Sequence, residues 1–225
     1  MAESGPKTRD MSPHALALGS AARHAVRRAA SVLRDGGIAV LPTETFYALA
    51  ADATNAAAVA RLVVMKGRDG DKPLPLINTS MAAVATLAHI PERLAPLLRV
   101  FWPGPLTVVA PTAATLPKAI TAGSGTVGQR ISAAPFAQSL AQMAGAFVAT
   151  SANVSGDPPV DEIARLNPII GSGADLVVDG GKLPGGLPST VVSWRNGALE
   201  ILREGVIPAE ALHAALAPAG AASWF

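Results

Sequence analysis

Hydrophobic and polar positions along the chain follow a helical period in some segments and short apolar runs in others. In residues 21–35, apolar side chains recur every three or four positions opposite arginines, and Gly36 follows, which predicts an amphipathic helix. Residues 38–41 form an apolar run that ends at Pro42, which predicts a buried strand. Asn55 is a typical N-cap and predicts the start of a second helix.

The same patterns continue over the rest of the chain, so that strands and helices interleave. Strands are predicted at 74–77, 106–110, 126–130 and 147–151, and helices at 55–65, 81–88, 92–100 and 135–144. Further elements are predicted at 161–166, 175–178, 189–192, 199–203 and 208–217. This order favours a single α/β domain over 21–217, with a twisted mixed sheet flanked by helices. Residues 1–20 and 218–225 are predicted to be tails.

Composition excludes several classes of protein. Half of the 225 residues are hydrophobic and 15% are charged, which favours a folded core over disorder. The absence of cysteine excludes disulfides, thiolate catalysis and iron–sulfur clusters, and the four histidines lack ligand spacing, so no metal site is predicted. No apolar run reaches the roughly 20 residues that cross a bilayer, and the N-terminus does not resemble a signal peptide. We therefore expect a cytoplasmic protein.

The net charge of +2 is unevenly placed. Five of the 18 basic and two of the 16 acidic residues lie in the first 30 positions, so the rest of the chain holds 13 basic and 14 acidic groups. This balance argues against a broad basic surface for nucleic acid.

Polar residues at the predicted strand ends are the candidates for chemistry, because ligand sites of α/β proteins form there. Lys66, Arg68 and Lys72 suit a polyanion such as a nucleoside triphosphate, although cations also favour a helix C-terminus. On its residues alone the segment 151–153 favours a cap or Asx turn, and a polar ligand loop is the alternative. The glycine-rich segment 180–186 lacks the spacing of a phosphate-binding loop and favours a turn.

Seven segments in order resemble the YrdC-like threonylcarbamoyl-AMP synthase family in its short, single-domain form. They are GIAVLPTETFY at 37–47, KGR at 66–68, FWPGPLT at 101–107, VGQR at 127–130, TSANVSG at 150–156, STVV at 189–192 and LREG at 202–205. The resemblance implies a twisted α/β sheet around a concave cavity. It also implies a nucleotidyltransferase that makes L-threonylcarbamoyladenylate and pyrophosphate from L-threonine, bicarbonate and ATP, for threonylcarbamoyladenosine modification of tRNA.

The resemblance also assigns roles by motif. Lys66 and Arg68 are implied as catalytic residues. The residues implied to bind threonine are Thr45, Arg130, Ser151 and Ser189, and those implied to bind ATP are Arg68, Lys72, Thr126, Asn153 and Arg203. Mg²⁺ is expected to arrive with ATP, held by phosphates and water. A transferase complex that modifies tRNA is the implied recipient of the product.

Some positions depart from the family pattern, and some alternatives stay open. The departures are Ala48, Asp69, Ile77 and Gln129. Glu44 reads equally as a general base and as a loop carboxylate paired with a cation. A non-catalytic module that binds tRNA or double-stranded RNA through the same cavity is the alternative function, and a carbamoyl-handling relative ranks below it.

Overall fold

One mixed β-sheet organises the protein, which we describe from a computed structural model covering residues 19–68 and 73–217. Its nine strands, in chain order, are β1 (Ala39–Leu41), β2 (Ala48–Asp52), β3 (Leu76–Ile77), β4 (Leu106–Pro111), β5 (Thr126–Arg130), β6 (Phe147–Ser151), β7 (Leu176–Val177), β8 (Thr190–Arg195) and β9 (Ala198–Arg203). Across the sheet they lie in the order β7-β1-β2-β6-β3-β5-β4-β8-β9. Three pairs are parallel, β1 with β7, β3 with β5 and β4 with β8, and the other pairs are antiparallel. The predicted mixed α/β sheet is confirmed.

Helices pack on both faces of this sheet. They are α1 (Ser20–Arg34), α2 (Ala56–Met65), α3 (Met81–Ala85), α4 (Ala95–Phe101), α5 (Lys118–Thr121), α6 (Pro135–Ala144), α7 (Pro168–Gly173) and α8 (Ala209–Leu216), with short 3₁₀ turns at Glu92–Leu94 and Ile163–Arg165. Among the described residues, none of the helices has the length and apolar character that crossing a membrane requires.

The first two helices form where the pattern predicts them, for local reasons. In α1 the buried side chains are Val26, Ala29, Ala30 and Leu33, which share one side of the helix. Gly36 ends the helix with a φ of +78°, a conformation that favours glycine. At the start of α2, the Asn55 side chain accepts a hydrogen bond of 3.0 Å from the Ala58 amide and so acts as the N-cap.

The two faces of the sheet bury separate apolar clusters. Alternate residues of each strand point to opposite faces, so Ala39 and Leu41 pack with α1 and α6, whereas Val40 packs with α2 and α5. A third cluster joins α4 and α8 to β4 and β8. Helices therefore cover both faces of the sheet with apolar contacts. The polar groups of the site lie at the strand ends and in the loops.

Several elements differ from the sequence predictions. β2 was not predicted, since its sequence Ala-Leu-Ala-Ala-Asp lacks the β-branched residues that favour strands, yet it pairs with both β1 and β6. The helices α5 and α7 were also missed. The strand predicted at 74–77 is limited to β3, and the helix predicted at 81–88 ends at Ala85. Residues 1–18 and 218–225, predicted as tails, lie outside the described residues.

Candidate active site

The predicted site residues form two sets at the ends of the central strands, and the loop before β2 joins them, because Ala48 pairs with Ser151 while Glu44 contacts Arg130. Arg130 ends β5 and is level with Phe147 at the start of β6, because both pair with Ile77. Ser151 ends β6, four residues beyond Phe147, which is roughly 13 Å along the strand. Thr126 begins β5 and therefore lies towards the Ser151 end. We call the set around Ser151, with Lys66, Arg68, Asn153 and Thr126, the β6-end group. The set around Arg130, with Glu44, Ser189 and Arg203, is the β5-end group.

Lys66 organises the β6-end group. It is the C-cap residue of α2, and its side chain is almost fully buried, at 3% exposure. Its ammonium donates to the Ser151 carbonyl at 2.5 Å and the Asn153 carbonyl at 2.9 Å, and the side-chain oxygens of these residues lie at 3.3 and 3.1 Å. Lys66 therefore fixes the shape of the loop that follows β6.

The Asn153 side chain adds to this arrangement. Its amide nitrogen donates to the carbonyls of Val154, at 2.9 Å, and Asp157, at 2.6 Å, while its oxygen faces Lys66. The Ser155 amide also donates to the Lys66 carbonyl at 2.8 Å. The loop after β6 is thus held from both the main chain and the side chain of Lys66.

Arg68 brings a second cation to the β6-end group. Its guanidinium donates to the Pro73 carbonyl at 2.9 Å. Burial lowers the pKa of Arg68, and burial together with the charge of Arg68 lowers the pKa of Lys66 to about 8. Two cations therefore lie close enough in this group for the charge of one to lower the pKa of the other, and such a pair can bind an anionic ligand. Lys72 lies outside the described residues.

Arg130 and Glu44 form the centre of the β5-end group. They make an ion pair, and the Arg130 Nε donates to the Gly104 carbonyl at 3.0 Å. The Ser132 hydroxyl donates to the Glu44 carboxylate at 2.9 Å. Glu44 is thus paired with a cation, as one of the two open interpretations of its sequence position expected.

Ser189 and Arg203 complete this group. The Ser189 hydroxyl lies 3.1 Å from that of Thr107, and Arg203 donates to the Ser189 carbonyl at 2.8 Å. Burial, followed by the charge of Arg130, lowers the pKa of Arg203. The charge of Arg130 therefore disfavours the charged form of Arg203, whose guanidinium also lies 3.2 Å from the Ser189 hydroxyl.

Thr45 and Thr126 occupy different parts of the site. Thr45 lies in the loop before β2, where its carbonyl accepts a hydrogen bond of 2.9 Å from the Gly185 amide. Thr126 is half-buried, with its hydroxyl 2.8 Å from that of Ser124. The set predicted to bind threonine and the set predicted to bind ATP are each divided between the two groups.

Sequence reasoning assigned no role to three residues that shape the β5-end group. Ser132 holds Glu44, Thr107 contacts Ser189, and the Gly104 carbonyl orients Arg130. Ser132 follows the end of a predicted strand, which is the signal that could have identified it. Gly104 and Thr107 lie in the segment FWPGPLT, which contributed to the family resemblance but to which no binding role was assigned. For metals, the described residues contain no group of three or more His, Asp or Glu side chains that could hold an ion.

This arrangement of cations, hydroxyls and amides can bind a ligand that carries several negative charges and one or more hydrogen-bonding groups. The sequence model of the Sua5/YciO/YrdC family, described as "Telomere recombination", matches residues 31–205. The chain belongs to the Sua5/YciO/YrdC family. All the described residues of both groups fall within or at the ends of this matched range.

Curated relatives in the family carry a consistent name. The chain is 38% identical over 177 residues to the threonylcarbamoyl-AMP synthase of Halorhodospira halophila, with 77% of the chain and 92% of the relative covered. It is 36% identical over 187 residues to the threonylcarbamoyl-AMP synthase of Pyrococcus abyssi, with 82% of the chain but 55% of the relative covered. The chain thus spans about half of the longer relative and nearly all of the shorter one.

A solved structure in the family has the same fold. The crystal structure of P. abyssi Sua5 complexed with L-threonine aligns with a TM-score of 0.81 at 34% identity, over 85% of this chain and 57% of that one. This similarity supports the α/β fold implied by the resemblance of the seven sequence segments.

Proposed function

We propose that the protein is an L-threonylcarbamoyladenylate synthase, a nucleotidyltransferase that consumes L-threonine, bicarbonate and ATP. The observation that carries the proposal is the pairing of cations in both groups, Lys66 with Arg68 and Arg130 with Arg203, beside hydroxyl and amide groups. Relatives named threonylcarbamoyl-AMP synthase at 36 and 38% identity support the same activity.

The proposed reaction needs positioning more than covalent help from the protein. The threonine amine attacks bicarbonate or the CO₂ derived from it, a C–N bond forms, and water leaves when bicarbonate is the donor. A carbamate oxygen then attacks the α-phosphorus of ATP, the bond from that phosphorus to the bridging oxygen breaks, and pyrophosphate leaves. Cations that neutralise the phosphate oxygens, and groups that hold the carbamate in line, supply most of the assistance.

We assign the residues to this reaction according to their positions. Arg68, Asn153 and Thr126 belong to the β6-end group and are assigned to the nucleotide, together with Lys72 on sequence grounds. Lys66 and Arg68 are assigned the catalytic neutralisation of phosphate charge, with Lys66 also holding Ser151 in place. Thr45, Arg130, Ser151 and Ser189 are assigned to threonine, with Arg130 as the partner of its carboxylate. Arg203 is assigned to the nucleotide on sequence grounds.

The remaining expectations accompany this proposal. Mg²⁺ arrives as the complex with ATP, as a part of the substrate. The product passes to a tRNA-modifying transferase complex, and the protein acts in the cytoplasm. Direct binding of tRNA or double-stranded RNA is not required by the chemistry and is tested separately below.

Pyrophosphate release by the purified protein, with L-threonine, bicarbonate, ATP and Mg²⁺, tests the proposal. We expect release that depends on each of the three substrates and a product whose mass is that of threonylcarbamoyl-AMP. Release that persists without threonine contradicts the proposal. Salt-sensitive RNA binding by protein that turns over no nucleotide would support the alternative, an RNA-binding module.

A further inference from the structure

The connection between β7 and β8 crosses almost the whole sheet. β7 is the first strand in the sheet order and β8 the eighth, so seven strand spacings separate them, roughly 34 Å in a flat sheet. The connecting residues 178–189, which we call the strap, contain no helix or strand and can extend over roughly 43 Å. The strap therefore has little spare length, and the points where it is attached determine its path.

Tyr47 provides the first of these attachments. Its side chain is fully buried, at 0% exposure, and its hydroxyl accepts a hydrogen bond of 2.9 Å from the Gly180 amide. The same hydroxyl donates to the Gly181 carbonyl at 2.6 Å, and the Asp179 carboxylate lies 3.3 Å away. Burial raises the pKa of Tyr47, so the hydroxyl keeps the proton that it donates.

The strap is shaped to fit this attachment. A Cβ at Gly180 would lie 2.8 Å from the Cβ of Pro42, so a side chain is excluded there. Gly181 has a φ of +77°, which favours glycine. The turn that receives the Tyr47 hydroxyl thus depends on two glycines for two different reasons.

The main chain of Tyr47 joins two further segments of the site. Its amide donates to the Val160 carbonyl at 2.8 Å, and its carbonyl accepts from the Ala152 amide at 2.9 Å. Tyr47 is therefore bonded to the loop that follows Ser151, while its side chain is bonded to the strap.

Beyond this attachment, the strap reaches the residues assigned to threonine. The Leu183 amide donates to the Asp161 carbonyl at 2.8 Å, and the Gly185 amide donates to the Thr45 carbonyl at 2.9 Å. The strap ends at Ser189, whose carbonyl and hydroxyl accept hydrogen bonds from Arg203. One buried tyrosine is thus bonded to, or lies next to, segments that carry Thr45, Ser151 and Ser189.

We propose that the Tyr47 hydroxyl is a positioning group for the threonine site, which it assembles by fixing the strap against the loops that carry Thr45 and Ser151. This inference rests on the proposed function. Tyr47 contacts no substrate in this role and acts through the strap, so losing its hydroxyl affects the binding of threonine more than that of ATP.

The test is the Tyr47→Phe variant, assayed by pyrophosphate release with threonine and ATP varied separately. We expect the KM for threonine to rise about fivefold, the size of one lost hydrogen bond between a buried hydroxyl and the exposed main chain of the strap. The KM for ATP stays within about twofold, because Lys66 and Arg68 are held independently of the strap. Hydrogen exchange at the amides of Gly180 and Gly185 becomes faster.

Two further variants keep the inference open to refutation. Ser193→Ala removes a hydrogen bond of 3.0 Å from a buried residue of β8 to Glu200 and leaves both KM values unchanged. Gly180→Ala disturbs the same turn from the strap side and reproduces the rise in the KM for threonine, even if Tyr47→Phe fails to fold. An unchanged KM for threonine in folded Tyr47→Phe, or an equal rise in both KM values, overturns the inference. A wild-type protein without threonine-dependent release refutes the proposed function instead.

Discussion

Glu44 and Arg130 form an ion pair that joins the loop after β1 to the end of β5. The Ser132 hydroxyl lies 3.1 and 2.9 Å from the two Glu44 carboxylate oxygens, and the Ala133 amide lies 3.4 Å from one of them. A carboxylate engaged by these donors fixes the direction of the Arg130 guanidinium. We therefore interpret Glu44 as a residue that positions Arg130 and not as a general base.

The Glu44→Gln variant tests this interpretation, because it keeps the side-chain size and removes the charge. We expect the KM for threonine to rise about tenfold or more, consistent with the roughly 1.5–3 kcal/mol of a hydrogen bond to a charged group. The measurement is pyrophosphate release at varied threonine concentrations. Glu200→Gln, which weakens an exposed ion pair with Arg195 on the β8–β9 hairpin, is the matched control.

A general base would behave differently in the same experiment. Its loss would lower kcat by about 10²- to 10⁴-fold and remove the acidic limb of the pH profile. That result with an unchanged KM for threonine would contradict the positioning role of Glu44.

Arg68→Ala is expected to weaken nucleotide binding without destabilising the fold. The charge of Arg68 disfavours the charged form of Lys66 in the free protein, so its removal relieves a repulsion while it deletes a phosphate ligand. We expect the KM for ATP to rise at least about tenfold, with a melting temperature close to that of the wild type, because the lost hydrogen bond to the Pro73 carbonyl is offset by the relieved repulsion. The exposed Arg99→Ala is the control for loss of one positive charge. A melting temperature that falls in parallel with activity would assign Arg68 a structural role instead.

Nucleotide binding is expected to be coupled to proton uptake near pH 8. The pKa of Lys66 is lowered to about 8, so about half of the ammonium is deprotonated at that pH in the free protein. Phosphate oxygens stabilise the charged form and raise this pKa, so binding takes up about half a proton at pH 8 and almost none at pH 6. Calorimetry in buffers of different ionisation enthalpy measures the uptake.

The sign of the effect on stability follows from the same pKa. Since the folded state disfavours charged Lys66, the unfolded chain binds more protons between about pH 8 and 10, and stability of the free protein rises with pH in that window. Lys66→Met abolishes both the proton uptake and this rise. Wild-type protein that takes up no proton at pH 8 would contradict the assignment of Lys66 to the nucleotide site.

The sequence predicts those strands and helices whose own residues favour the conformation that they adopt. β5, β6 and α6 agree with their predictions residue for residue. The strands begin with Thr-Val and Phe-Val, which favour strands, and Pro135 at the first turn identifies the helix start. β2 was not predicted because four of its five residues, three alanines and an aspartate, do not favour strands. Its strand conformation depends on pairing with β6, about 100 residues later in the chain.

For the site, the sequence likewise predicted the residue types but not the contacts between residues that are distant along the chain. The residue types near strand ends indicated an anionic ligand, and the motif order indicated the family. The partners could not be predicted from spacing, because Glu44 and Arg130 are 86 residues apart, and Tyr47 and Gly181 are 134 apart. Such contacts depend on how the sheet orders its strands, which the pattern does not determine.

A buried amide pair between the end of β3 and β5 leads to the last prediction. Asn78 follows β3 and donates to the Gln129 side-chain oxygen at 2.5 Å, and both residues are almost fully buried. Among the described residues, no partner faces the Asn78 side-chain oxygen or the Gln129 side-chain nitrogen. Two buried polar atoms of this pair are left without a partner in the described part of the chain, so the pair carries a cost in free energy in an apolar core.

A single substitution in this pair is expected to lower the free energy of unfolding, whereas the double substitution is expected to raise it. Gln129→Leu alone removes the acceptor of Asn78 and lowers the free energy of unfolding by about 1–3 kcal/mol. Asn78→Val combined with Gln129→Leu removes both polar groups and raises the free energy of unfolding above the wild-type value, since no buried amide is left unsatisfied. Urea unfolding of the four proteins in this cycle measures the coupling. If the double variant is less stable than the wild type, ordered water satisfies the two amides and the pair contributes to stability.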